Sequence, residues 1–372
     1  MKKKIFKCEL CFQTKSKIIQ TKIRNAHFGN YMNFNVHICK NCCLIQLYNY
    51  SNVLKKKAYY KKYYLPDTYN YNIPPKKYIN DQKLRGKNVY KFLKKKNKII
   101  GKIENMDVID IGCGTGGTFD YFIDRTKSVF GTDPIIQSVR LAKKIGYNVT
   151  NGFLEKININ NNSVDLILLL GTIEHAYDLD KSLRECKRVL RNKGKIFIRW
   201  RSNKLWGSPI EYFNSNHYRY FNSFSINYLA YKHNLKIVLK TDTEIEGKPG
   251  AKYFILEKND NFNSKKPKVR NSYLKIVKNF QQYEKMYFNK AVNFLNNIRH
   301  TNYSISSAKR FTKNKRNNFN FLNNIIHTNY SISSAKRFIK NKKNNYRALN
   351  LDKKSMFRAI VEAKSYISYY IS

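Results

Sequence analysis

The stretch VIDIGCGTGGTF, residues 108–119, decides how this chain folds. It holds four of only 15 glycines in 372 residues, at Gly112, Gly114, Gly116 and Gly117. An apolar run flows into a loop with almost no side chains, so the backbone there is open to close approach. Working outward, the pattern on both sides alternates between buried strands and amphipathic helices. MDVIDIG (106–112) reads as a strand, followed by a helix from about 116 to 125. SVFGTD (128–133) is a second strand, IIQSVRLAKKIG (135–146) a helix and YNVTNG (147–152) a short third strand. VDLILLLG (164–171) has the length and apolarity of a fully buried strand. DLDKSLRECKRVLRNKG (178–194) reads as a helix stopped by Gly194, and KIFIRW (195–200) as the fifth strand. A helix at 223–235 then leads to two strands, KIVLKTDT and AKYFILEKND, joined around the turn EGKPG (246–250). Strands alternating with helices predict an α/β doubly wound, Rossmann-like sheet closed by a C-terminal antiparallel hairpin.

The glycine loop fits two ligands. Gly112-x-Gly114-x-x-Gly117 matches a dinucleotide fingerprint, and Asp110-x-Gly112-x-Gly114-x-Gly116 resembles the first motif of class I methyltransferases that use S-adenosylmethionine. Asp133, about 20 residues on at the second strand's tip, suits the two ribose hydroxyls of either. Asp110 separates them. A carboxylate beside a pyrophosphate repels it, whereas S-adenosylmethionine brings an ammonium and a sulfonium.

DIGCGTGG, GTDP and VDLILLLGTIEH, followed by LRECKRVLRNKGKIFIR, together resemble a class I S-adenosylmethionine-dependent methyltransferase over about residues 100–260. The resemblance implies that Asp110, Gly112, Gly114 and Gly116 frame the methionine portion of the cofactor and Asp133 its ribose. It implies further that Phe153 or Leu154 flanks the adenine, and that Glu174 and His175 face cofactor and substrate. Methyl transfer needs the acceptor held in line with the methyl–sulfur bond, and for a hydroxyl or acidic carbon a base as well. EYFNSNHYRYFN (211–222), just after the fifth strand, supplies Tyr212, His217 and Tyr220 for that purpose.

Before this domain lie two CxxC pairs, Cys8/Cys11 and Cys39/Cys42, spaced as in a four-cysteine structural zinc site. His37 and Cys43 stand close by. A CxxC…CxxC module running into CLIQ ahead of such a core is similar to sugar-nucleotide C-methyltransferases. In those enzymes a Tyr three residues before the loop His acts with it; here His217 matches the His, but Asn214 stands at the Tyr position and Tyr212 is the nearest substitute. Those enzymes also tend to end in a second, glycine-containing α/β domain, and this chain has no glycine after Gly250.

The expected organisation is a zinc module over 1–50, a linker and helical segments over 51–100 (helix at about 78–97), the methyltransferase domain over 101–260 and a basic, helical tail over 261–372. The tail repeats itself: residues 294–318 recur at 321–345 with three differences in 25 positions. A final helix is expected over 355–370. The net charge of +48 divides as +21 over 1–100, +6 over 101–260 and +21 over 261–372. Basic flanks and zinc knuckles suit RNA, but GTIEH lacks the Asn/Asp-Pro-Pro-aromatic signature of base-amino methyltransferases. A small-molecule substrate is therefore the primary expectation, with RNA methylation and a non-catalytic binding role as alternatives. Seven cysteines, an odd number, fit a reducing compartment. No apolar run of about 18 residues predicts a membrane span, so the expected location is cytoplasmic.

Overall fold

The computed structural model describes residues 5–24, 31–48, 74–201, 212–241, 245, 251–269, 271–283 and 285. The linker at 51–73, the turn at 246–250, both copies of the repeat and the final helix expected at 355–370 lie outside these residues. By chain contacts the molecule divides into a unit of residues 1–206 with 211–276 and a unit of 207–210 with 277–372. In the second unit, residues 277–283 are helical. Everything below concerns the first.

Its larger sheet has seven strands: β4 (Asp107–Ile111), β5 (Ser128–Asp133), β6 (Val149–Asn151), β7 (Val164–Leu170), β8 (Leu190–Arg201), β10 (Leu235–Thr241) and β11 (Ala251–Lys258). Their order is β10-β11-β8-β7-β4-β5-β6. The first five pair in parallel, and β11 and β10 add an antiparallel hairpin at the edge. The expected Rossmann-like sheet with its closing hairpin is the one observed.

Because side chains alternate across a strand, each central strand feeds two cores. Ile109, Ile111, Ile167, Leu169, Ile196 and Ile198 pack with α4 (Leu179–Val189) and α5 (Ser223–Lys232). Val108, Leu166, Leu168, Leu170 and Phe197 face α1 (Lys76–Lys95), through Val89, Tyr90 and Leu93. A short α2 (Asn97–Ile100) follows α1, and α3 (Ile136–Lys144) covers the β5–β6 end. α4 opens on Asp178, whose side chain accepts from the Lys181 amide, and α5 opens on an Asn222–Ser225 capping box.

Two boundaries differ from the sequence reading. The helix expected at 116–125 is instead two 3-10 turns, Gly117–Tyr121 and Ile123–Arg125. The segment is rich in aromatic and β-branched residues, which favour helix weakly. Phe119 and Phe122, three apart, are both buried, which suits a three-residue turn. The helix expected to end at Gly194 ends at Val189, and β8 starts at Leu190. Gly194 lies inside β8, where the register against β7 shifts between Val164 and Leu166. A Cβ there would sit 2.9 Å from the Arg191 carbonyl oxygen, so this glycine serves an irregular strand start and not a helix stop.

The amino-terminal sheet comprises β1 (Ser16–Arg24), β2 (Tyr31–Cys39) and β3 (Ile45–Leu47), all antiparallel. Its fourth strand is β9 (Arg219–Tyr220), from the segment that carries His217. Phe6, Cys8, Leu10, Cys39, Cys42 and Leu44 share one buried cluster with β4, β7 and β8.

Candidate functional site

The C-terminal ends of β4, β5 and β7 meet where the strand order reverses direction about β4, the position at which open α/β sheets place ligands. A cleft of about 780 Å³, counting its open mouth, lies there. Gly112, Gly114, Asp133, Phe153, Leu154 and His175 all line it. Asp110, Gly116, Glu174, Tyr212 and His217 do not.

Asp133 organises the loop. Its Oδ2 accepts from the Gly114 amide at 2.8 Å and its Oδ1 from the Ile135 amide at 2.9 Å. The Gly112 amide donates to the Thr132 carbonyl at 2.8 Å. Gly112 and Gly114 have φ of 75° and 59°, a region costly for residues with a Cβ. A Cβ on Gly112 would lie 2.6 Å from Thr172 Oγ1, and one on Gly114 2.5 Å from the Tyr78 hydroxyl. Burial pushes Asp133 up to about 6, against the opposing pull of its two amide hydrogen bonds. Asp110 lies beneath the loop, almost fully buried. Burial raises it to about 7, opposed by a Thr118 hydrogen bond and the positive Arg85. It meets the loop from the α1 side rather than from inside the cleft.

At the opposite wall, Leu154 is buried and Phe153 meets Tyr177 edge-on at 5.8 Å. Glu155 Oε1 accepts from the Tyr177 and Asp178 amides, while its Oε2 is buried with no hydrogen-bond partner. The cleft thus offers a carboxylate, open backbone and an aromatic rim. That donor set suits a cationic nucleoside.

Beyond His175 stands a second group. Glu174, His175 and His217 bring one oxygen and two ring nitrogens within 4.8 Å of one another. The two imidazoles are 4.7 Å apart and near-perpendicular. His175 Nδ1 donates to the Asn216 carbonyl at 2.9 Å, which leaves the Nε2 lone pair unprotonated in the neutral ring. Burial lowers its pKa, so it is neutral near pH 7. Asn214, in the position expected of a Tyr, accepts the His217 and Asn216 amides through Oδ1 and so sets the loop. Tyr212 is buried between Phe213 and Tyr220, about 5.0 Å from each ring, and stays off the cleft.

Sequence reasoning missed Tyr78, Thr172, Tyr177 and Glu155, all of which line the cleft. Tyr78, Gln82 and Gly86 were legible as an i, i+4, i+8 stripe on α1. Gln82 Nε2 donates to the Cys113 carbonyl at 3.0 Å, and Thr115 Oγ1 donates to Gln82 Oε1 at 2.6 Å. Gly86 lets α1 lie directly on the loop, since a Cβ there would come within 2.4 Å of the Thr118 carbonyl oxygen.

The four cysteines also converge. All four Sγ atoms lie within 4.8 Å, with Cys8–Cys42 at 3.5 Å and Cys11–Cys39 at 3.4 Å. Thiolates about 2.3 Å from one tetrahedral ion would be about 3.8 Å apart, so the set could hold zinc. The two knuckles share one backbone form. The Phe12 amide donates to the Cys8 carbonyl and the Cys43 amide to the Cys39 carbonyl, and Phe12 and Cys43 both have φ of 61°. Cys43 is therefore a turn residue, and burial pushes its thiol up to about 12. His37 is engaged elsewhere: its Nδ1 lies 3.0 Å from Ser16 Oγ, and its ring stacks on Phe6 at 4.9 Å. No helix among the described residues is long and apolar enough to cross a membrane.

Comparison with known proteins agrees with this geometry. Residues 109–198 match a family model described as a methyltransferase domain. A probable S-adenosylmethionine-dependent methyltransferase of Mycolicibacterium smegmatis is 32% identical over 106 residues, which is 28% of this chain and 40% of that protein. The mitochondrial ubiquinone biosynthesis O-methyltransferase of Rattus norvegicus is 27% identical over 107 residues, 26% of this chain and 31% of that one. A solved S-adenosylmethionine-dependent methyltransferase of Aquifex aeolicus is 21% identical with a TM-score of 0.36, covering 44% of this chain and 88% of that one. The chain spans less than half the length of the curated relatives it matches. Residues 109–198, which hold the glycine loop, are thus similar to a methyltransferase domain set within a longer chain.

Proposed function

We propose that this chain transfers a methyl group from S-adenosylmethionine to a small-molecule acceptor of the sugar-nucleotide class, with a zinc-bearing amino-terminal module over about residues 1–50. The observation that carries the reading is the pairing of Asp133 with the Gly114 amide at the floor of a cleft edged by Phe153 and Tyr177. In this reading Gly112 and Gly114 let the methionine portion approach the backbone, and Gly116 and Asp110 hold the loop from below. Asp133 accepts from the ribose through lone pairs that its backbone bonds leave over. Leu154 and Phe153 flank the adenine, and His175, with Glu174 beside it, closes the far end.

The cofactor, when bound, supplies an electrophilic sulfonium methyl. His175 and His217 stand beside the acceptor's reacting group, with Tyr212 holding the loop that carries His217. The support for a sugar-nucleotide acceptor is the likeness of the CxxC module and the loop His to enzymes of that class. β9 adds a physical reason, because it joins the sheet of that module to the catalytic loop. Cys8, Cys11, Cys39 and Cys42 would hold the zinc, which fixes that sheet.

The test is transfer of a labelled methyl group to a panel of sugar nucleotides, a polyphenol and RNA. The expected outcome is labelling of a small molecule, with a loss of about 10²-fold or more in rate for His217→Ala. Labelling of RNA alone, persisting at raised salt, would contradict it.

A further inference from the structure

We propose that Glu174, His175 and His217 form a binding site for a divalent first-row metal ion at the edge of the cleft. Two imidazole nitrogens and a carboxylate oxygen lie within 4.8 Å of one another. An ion held tetrahedrally about 2.1 Å from each would bring them to about 3.4 Å, which side-chain rotation can supply. Glu174 is 5% exposed and its Oε2 is buried without a hydrogen-bond partner. A buried carboxylate oxygen left unsatisfied is costly, and a cation offsets that cost.

The surroundings hold the ligands as metal sites do. A metal-bound His donates its other ring N–H to a carbonyl or carboxylate, which fixes tautomer and orientation. His175 Nδ1 does so to the Asn216 carbonyl, which presents Nε2 as the ligand atom. That carbonyl belongs to the turn that Asn214 Oδ1 ties down, and the same turn carries His217. The positive Arg219, which acts on His175, is ion-paired with Glu9. Two His and one carboxylate leave open coordination positions, and nitrogen–oxygen sets of this kind take Zn, Mn, Fe or Co.

The role of this ion rests on the methyltransferase reading: with the imidazoles as its ligands, it would bind an acceptor oxygen and lower its pKa, so that the proton passes to solvent. The site itself does not depend on that reading. It is also distinct from the four-cysteine site, whose ligands are all sulfur.

The experiment uses the full chain with its cysteine site loaded with zinc. Co²⁺ is titrated in and followed by visible absorption and calorimetry. We expect one further equivalent, with weak nitrogen–oxygen ligand-field bands and no strong sulfur-to-cobalt charge transfer. His217→Ala, on a half-buried loop, should weaken Co²⁺ binding at least tenfold while S-adenosylhomocysteine binding persists. Glu174→Gln should weaken it similarly with zinc content unchanged. Failure of Co²⁺ to bind a chain that still binds S-adenosylhomocysteine, or equal binding by both variants, overturns the proposal. Co²⁺ binding without S-adenosylhomocysteine binding would keep the metal site and remove the methyltransferase reading.

Discussion

Asp110 in β4 and Asp133 at the end of β5 are buried beside the loop at a cost to the empty protein. Burial raises both above the ordinary carboxylate range, to about 7 and about 6. A carboxyl whose folded pKa is raised contributes stability that is present below its unfolded value near 3.9 and is lost as pH rises through the folded value. The ligand-free protein should therefore lose stability from these groups between about pH 4 and 7. Asp110→Asn keeps a partner for Thr118 and removes the charge. It should stabilise the ligand-free protein at pH 8 by on the order of 2 kcal/mol, with little effect at pH 4. Thermal melts at the two pH values check this, and an equal shift at both would contradict it. The placement of both acids beside the loop was legible in the sequence, because it is set by their spacing from the glycines. The Gly114 amide bond that holds Asp133 was not legible, because that amide is brought to it by the pairing of β4 with β5.

Among the elements, the order of strands was legible because the apolar runs are long and bounded by turn residues. The segment after the loop was not, because its helix-like spacing of aromatics is met by 3-10 turns packed under α1. That contact rests on two glycines, Gly86 on α1 and Gly117 in the first turn. Gly86→Ala places a Cβ against the Thr118 backbone, which has no flexible end to give way. Overpacking of this kind costs about 1–3 kcal/mol. The variant should melt earlier and bind S-adenosylhomocysteine more weakly, since Tyr78 and Gln82 ride on the same helix. Unchanged melting together with unchanged binding would show that α1 does not brace the loop. By contrast, Leu168→Ala in the fully buried β7 should cost about 2–5 kcal/mol through its cavity alone and leave the cleft's ligand contacts in place.

Across the whole molecule, the cysteine spacing announced a clustered module, and the four sulfurs do converge. What the spacing could not announce is that β9, some 170 residues downstream, completes that module's sheet, because a two-residue strand has no periodicity to read. The coupling has a consequence. Cys39→Ser, or chelation of bound zinc, should loosen the 212–222 loop as well as the amino-terminal sheet, so that amide exchange at both accelerates together. Faster exchange confined to residues 5–48 would contradict this. Above all of this stands the assignment of the cleft to S-adenosylmethionine. Its most direct measurement is calorimetric titration of the full chain with S-adenosylhomocysteine. About one equivalent should bind, weakened at least tenfold by Asp133→Ala; no binding, or binding unaltered in that variant, would contradict the assignment.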